Sequence, residues 1–213
     1  MHYRVLTVDR EFGSGGGRIA QTIARWLDWK LLDEEIIETI AYSAHVDKKV
    51  VQQYDEHVES WLQKLNRQTM RSAALAAGLE LTEGSVFNPD EMAKLTQKIV
   101  EQAYADGNCV IVGRGSQCIL RHKPGVFHAF VYAPYKQRIL RLRKRLAPDV
   151  NIEQRIRKVD EERSKYLQGC HGKCWTDPHL YDLLICSHED EDAAARVILH
   201  AMQGAPVLEP SPH

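Results

Sequence analysis

Long apolar runs, an excess of positive charge and a regular set of cysteines are all lacking from this sequence of 213 residues. No stretch approaches the roughly 18 apolar residues of a membrane-spanning helix. The 28 lysines and arginines are balanced by 29 aspartates and glutamates, and the net charge of −1 argues against a general nucleic-acid binder. Five cysteines, with no secretory signal before them, favour a reducing compartment. These absences predict a cytoplasmic protein that has neither nucleic acid nor a membrane as its partner.

A glycine-rich stretch from Asp9 to Ala20 dominates the start of the chain. The run Tyr3–Val8 before it is typical of a buried strand, and Ile19, Ile23 and Leu27 form the apolar stripe of a helix after it. Glycine lets a ligand approach the main chain, and a helix N-terminus offers N–H groups and a positive dipole end. The pattern predicts a phosphate-binding loop of Gly13, Ser14, Gly15, Gly16 and Gly17, with Arg18 as its cation.

This loop departs from the regular Walker pattern G-x-x-x-x-G-K-[ST]. Aligned on the glycines, Arg18 takes the lysine position, Ile19 takes the hydroxyl position and Phe12 replaces the first glycine. The missing hydroxyl removes one usual ligand of Mg²⁺, so we expect an altered use of Mg²⁺. The alternative is a glycine-rich turn that only joins a strand to a helix, although one or two glycines suffice for such a turn.

Asp33 follows a short predicted strand, Trp29–Leu32. It has the position of a helix N-cap, with two glutamates in the first turn after it. It also stands at the carboxyl end of a strand, where open α/β sheets place their ligands. Both roles, cap and ligand contact, are open, and one residue can serve both.

The region from Val46 to Ala105 has mostly helical periodicity. Sixty residues of helix between two strands are long for a simple crossover. We interpret residues 46–105 as an inserted helical layer. Either a lid over a substrate or a homodimer contact would suit it.

The sheet is predicted to resume at Cys109–Val112, directly before Gly113-Arg114-Gly115. An arginine between two glycines at the end of a buried strand suits a bidentate phosphate or carboxylate. A fourth strand is predicted at Val126–Tyr132. Two arginine-rich helices follow, which indicate a local positive field suited to a polyphosphate. The remaining predictions are a last strand at Leu180–Cys186, a closing helix at Glu189–Met202 and a disordered tail over 204–213.

Four motifs together resemble the cytidylate kinase-like family of P-loop nucleoside monophosphate kinases. They are Glu11-Phe-Gly-Ser-Gly-Gly16, Leu32-Asp-Glu-Glu-Ile-Ile37, Val110-Ile-Val-Gly-Arg-Gly115, and Asp177-Pro178 followed by Tyr181-Asp-Leu183. The resemblance implies one P-loop NTPase-type α/β domain over residues 1–203, with a parallel five-stranded sheet flanked by helices. It also implies a helical insert, an arginine-rich lid at about 147–176, and phosphoryl transfer from ATP to a nucleoside monophosphate. Cytidylate is the acceptor that the family name suggests.

The resemblance also assigns roles to residues. The stretch from Gly13 to Ile19 would bind the donor phosphates. Arg114 would grip the acceptor's phosphate, with Asp33 and Arg157 beside the acceptor. Asp160 and Arg163 resemble the lid pair, and with Arg18 they are the predicted catalytic residues. In this scheme Arg163 neutralises charge on the transferring group.

Two cysteines near the predicted lid, Cys170 and Cys174, lie beside His171 and ahead of His179. Structural zinc normally needs four convergent ligands, and no second cysteine pair follows at a suitable spacing. We therefore predict free thiols and no metal site here.

Two alternatives to a nucleoside monophosphate kinase remain open at this point. The altered loop at Arg18 and Ile19 would suit a nucleotide sensor or interaction module that has lost catalysis. Alternatively, a P-loop kinase with another small-molecule acceptor would keep the cradle and differ in the helical insert.

Overall fold

A computed structural model describes residues 3–33, 89–188 and 190–204. Most of the predicted insert, the helix expected after Asp33, the homodimer contact and nearly all of the predicted tail lie outside these ranges. The following description covers the described residues only.

The centre of the fold is a sheet of five parallel strands in the order β2-β3-β1-β4-β5. The strands are β1 (Val5–Arg10), β2 (Lys30–Leu32), β3 (Cys109–Val112), β4 (Val126–Tyr132) and β5 (Leu183–Cys186). Residues of β1, β3 and β4 are almost all buried, as expected of parallel strands covered on both faces. The predicted fold class, a parallel five-stranded P-loop sheet flanked by helices, is confirmed.

Six α-helices lie within the described residues. They are α1 (Gly16–Leu27), α2 (Pro89–Asp106), α3 (Ser116–Ile119), α4 (Tyr135–Arg143), α5 (Ile152–His171) and α6 (Glu191–Gln203). Helices α5 and α6 begin with residue types that commonly cap a helix. The Asn151 side chain accepts from the N–H of Gln154, and the Asp190 side chain accepts from the N–H of Ala193.

The two faces of the sheet carry separate apolar clusters. On one face, Ile19 and Ile23 of α1 pack with Ile198 of α6 against strand residues. On the other, Leu95 and Ile99 of α2 pack with residues of β3. Helix α2 falls within the predicted insert, and its buried residues belong to the core beneath the sheet.

Several predicted boundaries shift. Strand β1 extends two residues further, to Arg10, and β5 begins at Leu183 and not at Leu180. A short 3₁₀ turn occupies Pro178–Leu180, because the Asp177 side chain accepts the N–H of His179 and closes the chain into a turn.

Candidate functional site

A cavity of about 490 Å³ opens at the carboxyl ends of the strands, between the glycine loop and the ends of β2 and β3. Open α/β sheets bind their ligands at this edge. The lining residues are Arg10, Glu11, Phe12, Gly13, Gly15, Gly16, Gly17, Arg18, Gln21, Leu31, Asp33, Val112, Leu142, Arg145 and Arg163.

The loop needs glycine at two of its positions for geometric reasons. Gly13 and Gly15 have φ of 83° and 85°, in the left-handed region that side chains rarely adopt. A Cβ on Gly13 would also lie 2.9 Å from the side chain of Leu142, and one on Gly15 would lie 2.5 Å from Glu191. Gly17 has open space around it. Gly13 and Gly15 are therefore demanded by the loop's own backbone conformation.

Helix α1 begins at Gly16, so the main-chain N–H groups of its first turn lie at the loop. The N–H of Gly16 donates to the Ser14 hydroxyl at 3.3 Å, inside the loop. Those of Gly17 and Arg18 belong to the part of a helix that has no intrahelical acceptor. This edge of the cavity suits an anion, because N–H groups and the helix dipole both point at it.

Arg18 lies in the first turn of α1 and lines the cavity, with 63% of its side chain exposed. Its Nε lies 3.0 Å from a carboxylate oxygen of Glu191 at the start of α6. The other oxygen of Glu191 is 3.4 Å from Nε of Arg141, which donates to the carbonyl of Ser14 at 3.1 Å. The predicted cation of the loop is therefore present, and it shares its carboxylate partner with the arginine that braces the loop.

Two residues of the predicted loop face the protein interior. Ser14 is fully buried, and the Ser187 hydroxyl donates to its carbonyl. Ile19 is fully buried in the core, and its N–H donates to the carbonyl of Gly15. Neither is among the described residues that line the cavity. Any contribution they make to phosphate binding is through the shape of the loop.

Arginines from three other elements join Arg18 in the lining of the cavity. Arg10 is the last residue of β1, Arg145 follows α4, and Arg163 lies on α5. Of these, only Arg163 was predicted as a site residue. Arg145 stood within a charge run that resembles an ordinary solvated helix face, and Arg10 preceded the glycines without a motif of its own. Their convergence depends on the sheet, which a local pattern does not reveal.

The predicted Asp160 and Arg163 pair contacts the loop from α5. One oxygen of Asp160 accepts the N–H of Phe12 at 2.8 Å, and the other binds the guanidinium of Arg138. Nε of Arg138 donates to the carbonyl of Phe12 at 2.7 Å. Asp160 does not line the cavity within the described residues. It holds the loop backbone, while Arg163 faces the cavity and donates to the carbonyl of Arg10 at 2.9 Å.

The three predicted acceptor-binding residues are placed differently from one another. Asp33 follows β2 directly and lines the cavity. Arg114 has a φ of 56°, and its guanidinium lies 5.6 Å from the ring centre of Tyr166 on α5. Arg157 is exposed on α5. Arg114 and Arg157 are outside the described lining of the cavity, so their predicted contact with an acceptor stays a prediction.

A buried carboxylate, Asp9, is contacted by polar side chains from distant parts of the chain, next to the glycine loop. Its Oδ2 accepts from Gln117 at 2.9 Å and from the indole of Trp175 at 3.1 Å. The Tyr181 hydroxyl lies 3.5 Å from the same oxygen. Burial, and secondarily the charge of Asp9, raises the pKa of Tyr181, so this hydroxyl stays protonated. Sequence reasoning missed this group, because each of its other members lies more than 100 residues from Asp9.

Two cysteines, Cys170 and Cys174, lie at and just after the carboxyl end of α5. Cys170 and Cys174 are exposed, and no group of three or more His, Cys, Asp or Glu side chains in the described ranges is arranged to hold a metal ion. A hydrogen bond with the Thr176 hydroxyl lowers the pKa of the Cys174 thiol. No described helix is long and apolar enough to cross a membrane.

Solved structures with related folds cover nearly the whole chain. An uncharacterized protein from Eubacterium ventriosum ATCC 27560 is 19% identical, with a TM-score of 0.67 over 94% of this chain and 98% of that one. A gluconokinase from Sinorhizobium meliloti 1021 is 12% identical, with a TM-score of 0.53 over 95% of this chain and 94% of that one. A shikimate kinase from Bacteroides thetaiotaomicron is also 12% identical, with a TM-score of 0.52 over 93% and 98%. At these identities the likeness establishes the fold, which is that of the P-loop kinases.

The sequence itself matches a family description over most of its length. None of the curated proteins compared with the chain is similar enough to count as a match. The family match runs from residue 5 to residue 189 and so includes the glycine loop, Asp33, Arg114 and Arg163. The chain belongs to the cytidylate kinase-like family.

Proposed function

We propose that this protein transfers the γ-phosphoryl group of ATP to a nucleoside monophosphate, with cytidylate as the first acceptor to test. The observation that carries the proposal is the cavity. It combines a glycine loop at a helix N-terminus with four arginines at the carboxyl edge of a parallel sheet. The family match supports the reaction class, and the acceptor is our inference.

The charges around the cavity favour a ligand with several phosphates. Four arginines line it, namely Arg10, Arg18, Arg145 and Arg163, against two carboxylates, Glu11 and Asp33. Glu11 is already engaged, because one of its oxygens accepts the N–H of Ala133 at 3.1 Å and lies 3.4 Å from Arg138. The surplus of positive charge would attract and orient a nucleotide polyphosphate.

Phosphoryl transfer asks for positioning and charge stabilisation and for little covalent chemistry from the protein. In our proposal the N–H groups at the start of α1 and Arg18 hold the donor phosphates. Arg163 stabilises charge on the transferring group, while Arg114 and Asp33 orient the acceptor. Asp160 is a positioning residue, since it holds the loop through Phe12.

The donor set at the cavity fits a magnesium ion that enters with the nucleotide. Mg²⁺ is commonly held by one or two carboxylates together with substrate phosphates and water, and Asp33 and Glu11 both line the cavity. Neither Gly17 nor Ile19 supplies the usual loop hydroxyl, and Ile19 is buried. Bound there, the ion would neutralise phosphate charge and help to align the donor.

A second candidate is a nucleotide-binding protein without catalysis. It is favoured by the absence of the loop lysine and by the salt bridge that joins Arg18 to Glu191. The fold is also shared with a gluconokinase and a shikimate kinase, so gluconate and shikimate belong among the acceptors to be tested.

A coupled ADP-release assay with the full chain, ATP and Mg²⁺ tests the proposal. The acceptor panel contains the common nucleoside monophosphates, gluconate and shikimate, and Arg163→Ala prepared in parallel controls for contaminating kinases. Turnover with cytidylate or another monophosphate supports the proposal. Turnover only with gluconate or shikimate, or nucleotide binding by calorimetry without turnover on any acceptor, would overturn it.

A further inference from the structure

Arg10 is placed at the junction between the glycine loop and the end of β3. It is the last residue of β1, lines the cavity, and has a side chain only 12% exposed. The backbone carbonyl of Arg10 accepts from Arg163 at 2.9 Å, which ties this point of the loop to α5. A charged side chain this well enclosed has few alternative conformations, so it is held in place at the edge of the cavity.

Two glycines leave the space that the Arg10 side chain occupies. A Cβ on Gly16 would lie 2.5 Å from Cβ of Arg10 and 3.0 Å from its Cγ. A Cβ on Gly113, at the end of β3, would overlap the guanidinium itself. Gly16 is the first residue of α1 and lacks the positive φ of Gly13 and Gly15, so its own backbone does not demand glycine. The absence of a side chain at position 16 is explained by the neighbouring Arg10, which fills the space.

Asp9 sets the orientation of this arginine. One oxygen of its carboxylate accepts the N–H of Arg10 at 2.8 Å and lies 3.9 Å from Nη1 of the same residue. The other oxygen accepts from Gln117 and Trp175, so the carboxylate itself cannot turn freely. A buried, fixed anion beside the guanidinium offsets the cost of enclosing its charge.

The alignment on the glycines gave the lysine position to Arg18. Counted instead from the end of β1, Arg10 and Gly15 have the spacing of the two glycines in G-x-x-x-x-G, and this register, which the structure favours because α1 begins at Gly16, gives the lysine position to Gly16. We propose that Arg10 is the phosphate-binding cation of this loop and replaces the missing lysine from the other side of the same space. The proposal rests on the proposed function and deepens it. It explains why the lysine position holds a glycine: with Arg10 present, position 16 has no room for a side chain.

The chemistry suits this replacement. An arginine fork can bind two phosphate oxygens at once, whereas a lysine is a single point charge on a flexible stem. From β1, Arg10 reaches the cavity beside the first turn of α1, where the loop N–H groups lie. The donor phosphates would thus be held between main-chain donors on one side and Arg10 on the other.

Calorimetry with ATP and with inorganic tripolyphosphate tests the proposal on the full chain. We expect Arg10→Ala to weaken binding of both by about 10- to 100-fold, the loss typical of a charged hydrogen-bonding group. Arg143→Ala is the matched control, because this arginine is exposed on α4 and outside the cavity lining, and it should bind like the parent. Arg10→Met keeps most of the length and packing of the side chain without its charge and should bind as weakly as Arg10→Ala. This second variant keeps the test valid if the alanine variant folds poorly.

The shared space is tested by a double variant. Gly16→Lys alone should weaken tripolyphosphate binding, because the new side chain collides with Arg10. In the Arg10→Gly background, which removes both the Cβ and the Cγ that crowd position 16, the same substitution has room, and it should recover about tenfold or more of the affinity that Arg10→Gly loses. A double variant that binds no better than Arg10→Gly would overturn the claim that the two positions serve the same phosphates.

The outcomes separate this inference from the proposed function. If tripolyphosphate binding depends on Arg10 but no acceptor is phosphorylated, the inference stands and the proposed function fails. If a monophosphate is phosphorylated and Arg10→Met binds ATP within about twofold of the parent, the inference alone fails. A parent that binds neither ATP nor tripolyphosphate overturns both.

Discussion

The two arginines that flank the glycine loop have contrasting environments. Arg10 ends a buried strand and is enclosed by Gly16, Gly113 and Asp9. Arg18 lies on the outer side of α1 and is 63% exposed. An enclosed cation loses less freedom when it binds a phosphate and acts in a medium that screens it less. We therefore expect Arg10 to contribute more to affinity than Arg18.

Arg18→Ala should weaken ATP binding by about five- to tenfold and leave the stability nearly unchanged. The side chain covers little core, and an exposed salt bridge such as the one with Glu191 contributes at most about 1 kcal/mol. Calorimetry and thermal unfolding measure the two effects. Arg25→Ala, an exposed arginine in the last turn of the same helix, is the control. Unchanged ATP affinity in Arg18→Ala would remove this residue from the site.

Arg114 and Arg163 should differ in the kinetic constant that each affects. Arg114 stands two positions after the last residue of buried β3 and should contact the acceptor before reaction, so Arg114→Ala should chiefly raise the acceptor's KM. Arg163 faces the cavity from α5, and Arg163→Ala should chiefly lower kcat, by about 10³-fold if it stabilises the transferring phosphoryl group. Steady-state kinetics with the acceptor varied at saturating ATP measure both constants.

Arg155→Ala is the control for this pair, since Arg155 is exposed on the same helix and outside the described cavity lining, and it should leave both constants unchanged. If Arg163→Ala keeps kcat within a few-fold of the parent, Arg163 does not act on the transferring group. The proposed mechanism would then lose its main electrostatic contribution.

Helix α5 is one of the elements that hold the loop in place. Its Asp160 binds the N–H of Phe12 and the guanidinium of Arg138, and its Arg163 binds the carbonyl of Arg10. In the family resemblance this helix belongs to an arginine-rich lid, which remains a prediction. In the structure α5 holds the loop in the conformation that shapes the cavity.

Asp160→Ala should destabilise the protein by about 2–4 kcal/mol, because it leaves the nearly buried Arg138 without its closest carboxylate and frees the N–H of Phe12. Chemical denaturation measures the loss. Glu161→Ala, which removes an exposed pair with Lys165 on the same helix, should leave the unfolding midpoint unchanged. Equal midpoints for the two variants would show that the contact between α5 and the loop contributes nothing to stability.

At the scale of the whole domain, stability depends on the buried sheet, and the sheet contains one titratable group that matters near neutral pH. His128 of β4 is 7% exposed, and its Nδ1 shares a 2.7 Å hydrogen bond with the Thr7 hydroxyl of β1. Burial lowers the pKa of His128, and the nearby Asp182 carboxylate opposes part of that shift. The folded state therefore favours neutral imidazole.

The sign of the pH effect follows from proton binding. Below the ordinary histidine pKa of 6.5, the unfolded chain binds a proton that the folded protein does not, so acid favours unfolding. The contribution of His128 is complete above about pH 6.5 and is lost as the pH falls toward its lowered pKa. The slope is at most about 1.4 kcal/mol per pH unit.

His128→Asn should keep a polar group near Thr7, and asparagine cannot take up the proton that histidine binds at acid pH. Between pH 7 and pH 5, the free energy of unfolding should therefore fall less in the variant than in the parent, as measured by urea denaturation across that range. Parallel curves for the two proteins would contradict this prediction, because they would mean that His128 binds its proton equally in the folded and unfolded states over this range.

Local patterns in the chain predicted most of the central architecture. Cys109–Val112 and Val126–Tyr132 are strands in the structure as predicted, because continuous β-branched and aromatic runs favour buried parallel strands wherever they pair. The glycine loop and the helix marked by Ile19, Ile23 and Leu27 could also be predicted, because helix periodicity and glycine's backbone freedom act over a few residues.

Three-dimensional packing alone determined how the site is assembled. Asp160 contacts Phe12, 148 residues away in sequence, and Trp175 contacts Asp9, 166 residues away. Sequence motifs do not predict contacts at such separations. The enclosed Arg10 depends on Gly113, which is adjacent only because β3 pairs with β1. A residue's secondary structure responds to its neighbours in sequence, whereas its exposure and partners depend on which strands lie side by side. For that reason the loop could be predicted from the chain, and the enclosure of Arg10 beside it could not.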